Sequence, residues 1–354
     1  SYLTMRQWVK EKRLEDLQRL YEEPYRRPGP TKIPAGRIEL ALGQNARFRQ
    51  ADLDISNALA EISFENSIKV EVFVHAAETV GFIRVLSSGP LTPSLIVPPF
   101  GGPVQNTTPE MTRGLEVGLL GYEPPRLDRG ENWTGYTQKG WGEFRFAAVL
   151  MWEKTPTEWR GVWSIATSDE NENPLETALS RCRKAIRPGF EASLKEHQKW
   201  WESFWNASSL SIPNKIIERQ WYLENYKFGC AARKNTPPIT LQGPWTADNG
   251  LLPPWKGDYH HDLNTELSYW PAYSGNHLDG AEGYLNWLWK TMPKAKAWTK
   301  RFFGLPGLNV PMTADLNQEQ IGGWHQYTHS ATTAAWLAHH FYLHWRYSMD
   351  TDFL

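Results

Sequence analysis

The chain has 354 residues, a length that favours two domains over one. Its 38 basic and 39 acidic residues nearly cancel and are interspersed. Composition and charge therefore argue against a nucleic-acid partner and against binding to an anionic membrane surface, and no apolar run approaches the roughly 20 residues of a membrane span.

The N-terminal part is predicted to be mostly β-structure after one leading helix. Residues 5–21 carry apolar side chains at helical spacing, and the Pro- and Arg-rich stretch 24–34 ends that helix. Alternation of apolar and polar residues predicts short strands at 60–64, 68–72, 82–85 and 144–152. No helical pattern separates these strands, so we expect an antiparallel β-sandwich in which 88–125 is mostly loop.

The pattern becomes helical beyond residue 173. Helices are predicted at 174–206 (with a break near 188), 214–233, 263–273, 279–298 and 330–347. The sequence thus predicts three parts: a β-sandwich domain with a leading helix (1–173), a helical linker (174–236) and an all-α region (237–354).

Tryptophan is the one compositional outlier, with 19 in the chain. Most of these indole rings are expected in the core. Their flat faces also stack on the apolar faces of sugar rings, so their abundance favours a carbohydrate ligand.

The densest group of polar and aromatic residues follows a Pro- and Trp-rich loop at 237–255, which we expect to line a concave surface. Asp258, Asp262 and Glu266 are the carboxylates in reach, and Asn264 could orient water or a sugar hydroxyl. A glycosidase needs an acid on one face of the sugar and a base or nucleophile on the other. Each residue also has a structural alternative: Asp262 could be a helix N-cap, and Glu266 a solvated or salt-bridged helical residue.

Metal and cofactor chemistry is not expected. His260 and His261 could bind a metal, but no further ligands occur at matching spacing. The pairs His325/His329 and His340/His344 are four residues apart without the glutamate of H-E-x-x-H, so structural roles are favoured. The two cysteines likewise lack metal spacing.

The run 253–271 reads PPWKGDYHHDLNTELSYWP and resembles the signature P-P-W-x-x-D-Y-H-x-N-I-N-x-Q-M-N-Y-W-P of glycoside hydrolase family 95. The stretch LQGPW at 241–245 is similar to the family's L-Q-G-x-W. Weaker likeness covers 335–354 and the strand region 48–84. The resemblance implies an N-terminal β-sandwich, a helical linker and an (α/α)₆ barrel. It also implies inverting hydrolysis of α-L-fucosides or α-L-galactosides without a metal, and a secreted or periplasmic location.

Position by position, the resemblance implies that Asn264 matches the second asparagine of N-x-N, which activates water in the family. Asp262 takes the place of the first asparagine; an aspartate there could act directly as a general base, or bind a different hydroxyl or a cationic group. Both are the predicted catalytic residues. The predicted substrate-binding residues are Trp245, Trp255, Tyr259, His260, His261, Glu266 and Trp270.

Other features depart from the family. Glu266, Leu267 and Ser268 stand where the signature has Q-M-N. The family's acid segment S-P-E and its Q-I-D-G-N segment are not found, and the region after residue 236 has room for about a third of twelve helices. We therefore expect this chain to hold the first part of the barrel, with further polypeptide completing it.

Three functions remain open from sequence. The first is a family-95-like exo-glycosidase acting on a glycan, with phosphorolysis as a variant. The second is a polysaccharide lyase, in which Tyr259 would be the base and His260 or His261 would neutralise charge. The third is a non-catalytic carbohydrate-binding protein.

Overall fold

The computed structural model describes residues 1–43, 46–65, 67–87, 89–105, 114–245, 251–321 and 328–354. The chain opens with helices α1 (Tyr2–Lys10), α2 (Leu14–Tyr21) and α3 (Glu23–Arg26).

The prediction of one continuous helix over residues 5–21 is wrong, because α1 and α2 are separate helices. The chain leaves the helix after Lys10, and Lys12 adopts a positive φ of 57°, a backbone conformation that cannot continue an α-helix. The apolar face of α2 packs against the C-terminal region rather than the β-region: Leu17 and Tyr21 share a core with Trp298 and Phe302. The leading helices therefore pack against residues 298–303 of the helical region.

Ten strands follow within the described residues, and eight of them lie in one large sheet. They are β1 (Arg37–Ala41), β2 (Phe48–Asp54), β3 (Leu59–Phe64), β4 (Lys69–Val74), β5 (Gly81–Leu86), β6 (Thr92–Ile96), β7 (Arg126–Gly130), β8 (Trp133–Lys139), β9 (Arg145–Lys154) and β10 (Glu158–Thr167). Eight form an antiparallel sheet in the order β2-β3-β4-β5-β10-β9-β8-β7, and β1 pairs with β6 in a separate two-stranded sheet.

Strand β9 explains why the large sheet is covered on both faces. Phe146 and Ala148 contribute to a core on one face, whereas Ala147 and Val149 contribute to a core on the other. The small sheet β1–β6 lies over the first face, and helices cover the second. The predicted strands are confirmed, and the predicted sandwich is confirmed as a large antiparallel sheet with helices; its second sheet has only two strands in the described chain.

The helices after the sheet are α4 (Pro174–Ile186), α5 (Phe190–Asn206), α6 (Lys215–Ala231), α7 (Asn264–Ser274), α8 (Leu278–Phe303) and α9 (Thr333–Ser348). The predicted break near 188 is confirmed: Gly189 has a φ of 84° and precedes α5. Helix α5 is fixed to the sheet region by buried His197, whose Nδ1 accepts from the Ala76 backbone N–H (3.1 Å) while Nε2 donates to the Asn57 carbonyl (2.7 Å).

Helices α7, α8 and α9 share one core, in which buried tyrosines are prominent. The Tyr269 and Tyr284 rings stack with centroids 4.5 Å apart, and Leu337 of α9 joins the same cluster. Three helices do not make a twelve-helix barrel, so the (α/α)₆ architecture stays a prediction. No helix in the described ranges is long and apolar enough to span a membrane.

Candidate active site

The candidate site lies in residues 255–263, which connect the Trp-rich loop to α7 and are called the site loop. A two-stranded sheet of β11 (Tyr259–His260) and β12 (Thr313–Ala314) anchors the site loop. The His261 backbone N–H donates to the Met312 carbonyl at 2.7 Å, and the Thr265 hydroxyl donates to the His260 carbonyl at 3.1 Å. These hydrogen bonds join the loop to the segment of Met312 and to the start of α7, and so fix the positions of its acidic side chains.

Three side chains of this loop form a carboxylate–imidazole–carboxylate chain. Asp258 is buried, and its Oδ1 lies 3.0 Å from Nδ1 of His260. On the other side of the ring, Nε2 of His260 lies 3.7 Å from Oδ2 of Asp262. Burial opposes the charged form of His260, but the hydrogen bond and negative charge of Asp258, with a smaller contribution from Asp262, raise its pKa overall. Burial also raises the pKa of Asp258, against the lowering by His260.

Asp262 is the member of this chain that reaches the surface. Its side chain is 31 % exposed, while its Oδ1 is buried and has no hydrogen-bond partner within the described residues. The N-cap alternative is wrong, because Leu263 is the N-cap of α7 and no side chain caps it. Asn264, the first helical residue, is exposed. The two predicted catalytic residues therefore flank the start of one helix.

Glu266 is fully buried on the third residue of α7, with an exposed fraction of 0 %. Beyond its own backbone N–H, neither carboxylate oxygen has a hydrogen-bond partner in the part of the chain that the structure describes. The alternative of a solvated or salt-bridged helical residue is therefore wrong. Burial, reinforced by the charge of Asp262, raises the pKa of Glu266 to about 7. Such a group changes protonation state near neutral pH.

Tyr259 and His261 point into the core instead of the site. Tyr259 is 3 % exposed, its hydroxyl donates to the Pro238 carbonyl at 3.3 Å, and its ring lies 4.6 Å from that of Trp287. His261 is 1 % exposed, and burial lowers its pKa to about 3, so it is neutral. Because both are enclosed, the structure does not support the predicted contact of either side chain with a sugar.

The three tryptophans predicted to bind sugar are accessible to different degrees. Trp245 and Trp270 are exposed, at 54 % and 44 %, and Trp255 is partly buried. Trp255 belongs to a run of positive φ that continues through Lys256 and Gly257 (49°, 63° and 58°). Non-glycine residues adopt this conformation at a cost, and such strain clusters at functional sites.

Sequence reasoning did not find two lysines near the site, buried Lys256 and partly buried Lys32. Lys256 is 2 % exposed, and its Nζ donates to the carbonyls of Arg27 and Gly29. Lys32 donates through its backbone to the Lys256 carbonyl at 2.9 Å and through Nζ to the Gly243 carbonyl. Burial lowers the pKa of each lysine to about 8. Together they tie the N-terminal segment 27–32 to the site loop; the sequence offers no local signal for a contact so distant along the chain.

Among the described residues, no group of three or more His, Cys, Asp or Glu side chains could hold a metal ion. His340 has a structural contact, with Nδ1 3.0 Å from the Tyr273 hydroxyl, and His329 stacks on Phe302. His325 lies outside the described residues. Cys182 is buried and Cys230 exposed, and both are free thiols.

A separate cleft of about 530 Å³ lies between the two sheets of the β-region. Among the residues that the structure describes, its lining is apolar except for Arg37 and Ser164 and contains no carboxylate. Since glycosidic chemistry requires carboxyl groups, the loop at the start of α7 is the better candidate for the active site.

Comparison with known proteins supports the resemblance. Residues 193–354 match the model of the glycosyl hydrolase family 95 catalytic domain. The "Probable alpha-fucosidase A" of Aspergillus niger is 24 % identical over 234 residues, covering 58 % of this chain and 28 % of that protein. The "Alpha-L-fucosidase 2" of Arabidopsis thaliana is 24 % identical over 141 residues, covering 39 % of this chain and 16 % of its own length. The chain thus spans less than a third of either relative.

A solved structure gives the same picture for the fold. "Putative kojibiose phosphorylase from human microbiome" superposes with a TM-score of 0.64 at 14 % identity, covering 89 % of this chain and 44 % of that one. At this identity the match speaks for the fold alone. The resemblance of this chain to glycoside hydrolase family 95, predicted from its motifs, is therefore confirmed, and residues 193–354 match the family's catalytic domain.

Proposed function

We propose that this chain supplies the water-activating side of an inverting exo-glycosidase that acts on terminal α-L-fucose or α-L-galactose residues of glycans. One observation carries the proposal: Asp262, with a side chain 31 % exposed, lies just before α7, beside exposed Asn264 and backed by partly buried His260 and buried Asp258. A base needs access to water and a fixed orientation, and this arrangement offers both.

In the proposed reaction, Asp262 accepts a proton from a water molecule that attacks the anomeric carbon. Asn264 orients that water or a neighbouring sugar hydroxyl. His260, held by Asp258 at 3.0 Å, lies with its Nε2 3.7 Å from Oδ2 of Asp262 and so helps to orient that carboxyl group. An acid on the opposite face of the sugar protonates the leaving oxygen, as inversion requires.

The comparisons support this class of substrate, because both named relatives are fucosidases by name and the matched family model is that of a glycosidase. The fold neighbour is a phosphorylase by name, so phosphate must be considered as the attacking group. The proposed base favours water: Asp262 must be negative to accept a proton, and a negative carboxylate repels an anionic nucleophile.

The lyase alternative finds less support. Its proposed base, Tyr259, is enclosed, and burial raises the pKa of that phenol far above its ordinary value. Of its two proposed charge neutralisers, His261 is buried and neutral, which leaves only His260, whose pKa is raised by Asp258, for that role. A buried phenol that already donates to a carbonyl cannot abstract a proton from a polysaccharide.

The test is turnover of defined substrates by the full-length protein. We expect release of 4-nitrophenol from the α-L-fucoside or α-L-galactoside, and proton NMR taken early in the reaction should show the β-anomer of the free sugar. Retention of the α-anomer would contradict the inverting mechanism. Turnover only with added phosphate, or an unsaturated product absorbing in the ultraviolet, would contradict hydrolysis.

A further inference from the structure

The two acidic departures from the family signature lie next to each other. Asp262 stands where the signature has asparagine, just before the N-cap of α7, and Glu266 stands where it has glutamine, four positions later inside that helix. Both present buried carboxyl oxygens that have no hydrogen-bond partner within the described residues. The charge of Asp262 acts on Glu266 directly, since it raises the pKa of the glutamate. The departures therefore form a pair, not two independent changes.

The groups around Glu266 determine how much negative charge Asp262 and Glu266 can carry together. From the site loop, Asp262 and His260 act on it; from α8, the buried Tyr284 interacts with it through a hydroxyl that has no hydrogen-bond partner in the described ranges. From α9, the ring of His340 lies 5.4 Å from that of Tyr284, and burial lowers the pKa of His340 to about 4, so it brings no charge.

His260 is thus the one described cation that acts on Glu266, and Asp258 and Asp262 already neutralise it. An ionised carboxylate that is buried without its own cation is strongly disfavoured, and such groups take up a proton instead. Protonated Glu266 has a hydroxyl to donate, and Asp262, four residues earlier, has a buried oxygen, Oδ1, that lacks a partner within the described chain.

We propose that Glu266 is a positioning residue that holds a proton beside Asp262, so that the pair carries one negative charge, on Asp262, in the working state. This inference rests on the proposed function, in which Asp262 is the base. During the reaction, Asp262 accepts the proton of water and later returns it to solvent, while Glu266 keeps its own proton. Above neutral pH Glu266 ionises, and the second charge disturbs the position of Asp262.

The first test does not need turnover. In infrared spectra of the full-length protein we expect a protonated-carboxyl band at pH 6 that titrates near pH 7 and is absent in Glu266→Gln. The matched control is Glu71→Gln, which removes an equally buried glutamate that is ion-paired with Lys69 and Arg84 and should leave the band unchanged. Persistence of the band in Glu266→Gln would overturn the proposal.

Coupling to Asp262 is tested in the same spectra. In Asp262→Asn the band of Glu266 should titrate at lower pH, because the charge that raises the pKa of Glu266 has been removed. An unchanged midpoint would mean that the two groups are independent, and the positioning role would be wrong. If these results hold while no fucoside or galactoside is turned over, the proposed function fails, but the inference that Glu266 holds a proton beside Asp262 stands.

The pH–rate profile tests the functional consequence. We expect kcat/KM to fall about tenfold per pH unit above pH 7 in the native protein, and Glu266→Gln, which donates but cannot ionise, to keep its rate there. Glu266→Leu should lose about 10- to 100-fold in kcat with KM nearly unchanged, and Gln should rescue it. An alkaline limb that is the same in Glu266→Gln would assign the titration to His260 and overturn the proposal.

Discussion

Two glutamates that are buried to nearly the same degree behave in opposite ways in the two regions of this chain. Glu71, 4 % exposed on β4, lies between Lys69 and Arg84, and Arg84 also binds Glu191 of α5. Although burial alone raises the pKa of Glu71, its bonds to Arg84 and Lys69 lower it overall. Glu266, 0 % exposed on α7, has no such cations and its pKa rises to about 7.

The difference separates a buried carboxylate that the fold pairs with cations from a buried carboxyl group that it does not. The sheet neutralises Glu71 with Lys69 of the same strand and Arg84 of the neighbouring strand, so that the charge contributes to the fold. On α7, no cation among the described residues is hydrogen-bonded to the buried carboxyl group of Glu266, and groups with displaced pKa values are characteristic of active sites. The comparison thus points to α7 independently of the sequence motif.

The largest effect is expected for Asp262→Asn. If Asp262 is the base, turnover should fall by about 10²- to 10⁴-fold, because general-base catalysis contributes about that factor. The measurement is kcat on the aryl glycoside, with Asp279→Asn, an exposed aspartate at the start of α8, as the control that should keep its rate. A near-normal rate for Asp262→Asn would transfer water activation to Asn264.

The stability of the two glutamine variants should differ in sign. Glu71→Gln should destabilise the protein by roughly 1–3 kcal/mol at pH 8, because it removes the partner of Arg84 and Lys69. Since folding raises the pKa of Glu266, the stability from this group is complete below about pH 4.5 and is lost as pH rises through about 7. Glu266→Gln should therefore be the more stable protein at pH 8.

Urea unfolding at pH 5 and pH 8 measures both variants. The native protein should lose stability relative to Glu266→Gln between these pH values. If both glutamine variants are destabilised equally at pH 8, the comparison between the two regions fails.

A smaller effect, on sugar affinity, is expected when Trp255 is replaced. Trp255→Ala should weaken binding of L-fucose about three- to tenfold, the loss of one stacking contact, with little change in melting temperature. Trp289→Ala removes an equally large ring that is 66 % exposed on α8 and serves as the control. Titration calorimetry gives the affinities; a collapsed melting temperature for Trp255→Ala would place that ring in the core.

Regular structure could be predicted from the sequence because it depends on local patterns. The alternation at 60–64 and 144–152 identified β3 and β9, and the break near 188 followed from a proline–glycine pair. The split of the leading helix was not predicted, since its apolar spacing continues across Lys12, whose positive φ interrupts the helix.

The site could be predicted only in part, for a related reason. The motif identified the segment of Asp262 and Asn264, but whether Tyr259 faces a ligand or the core depends on Trp287 of α8, which packs on its ring. Likewise, a glutamate at the third position of a helix reads as solvated until the packing of α8 is known. Burial arises from tertiary contacts, which local periodicity does not contain.

The hydrogen bonds of Lys256 affect the order in which parts of the chain fold. They join the site loop to Thr31 and Arg27 across 225 and 229 positions of sequence, so the loop reaches its final shape only after a very long chain closure. Contacts of such separation form slowly compared with local helices and hairpins. We therefore expect the loop that carries Asp258 and Asp262 to be among the last parts to become ordered on folding, and its amides to exchange with solvent before those of the central sheet.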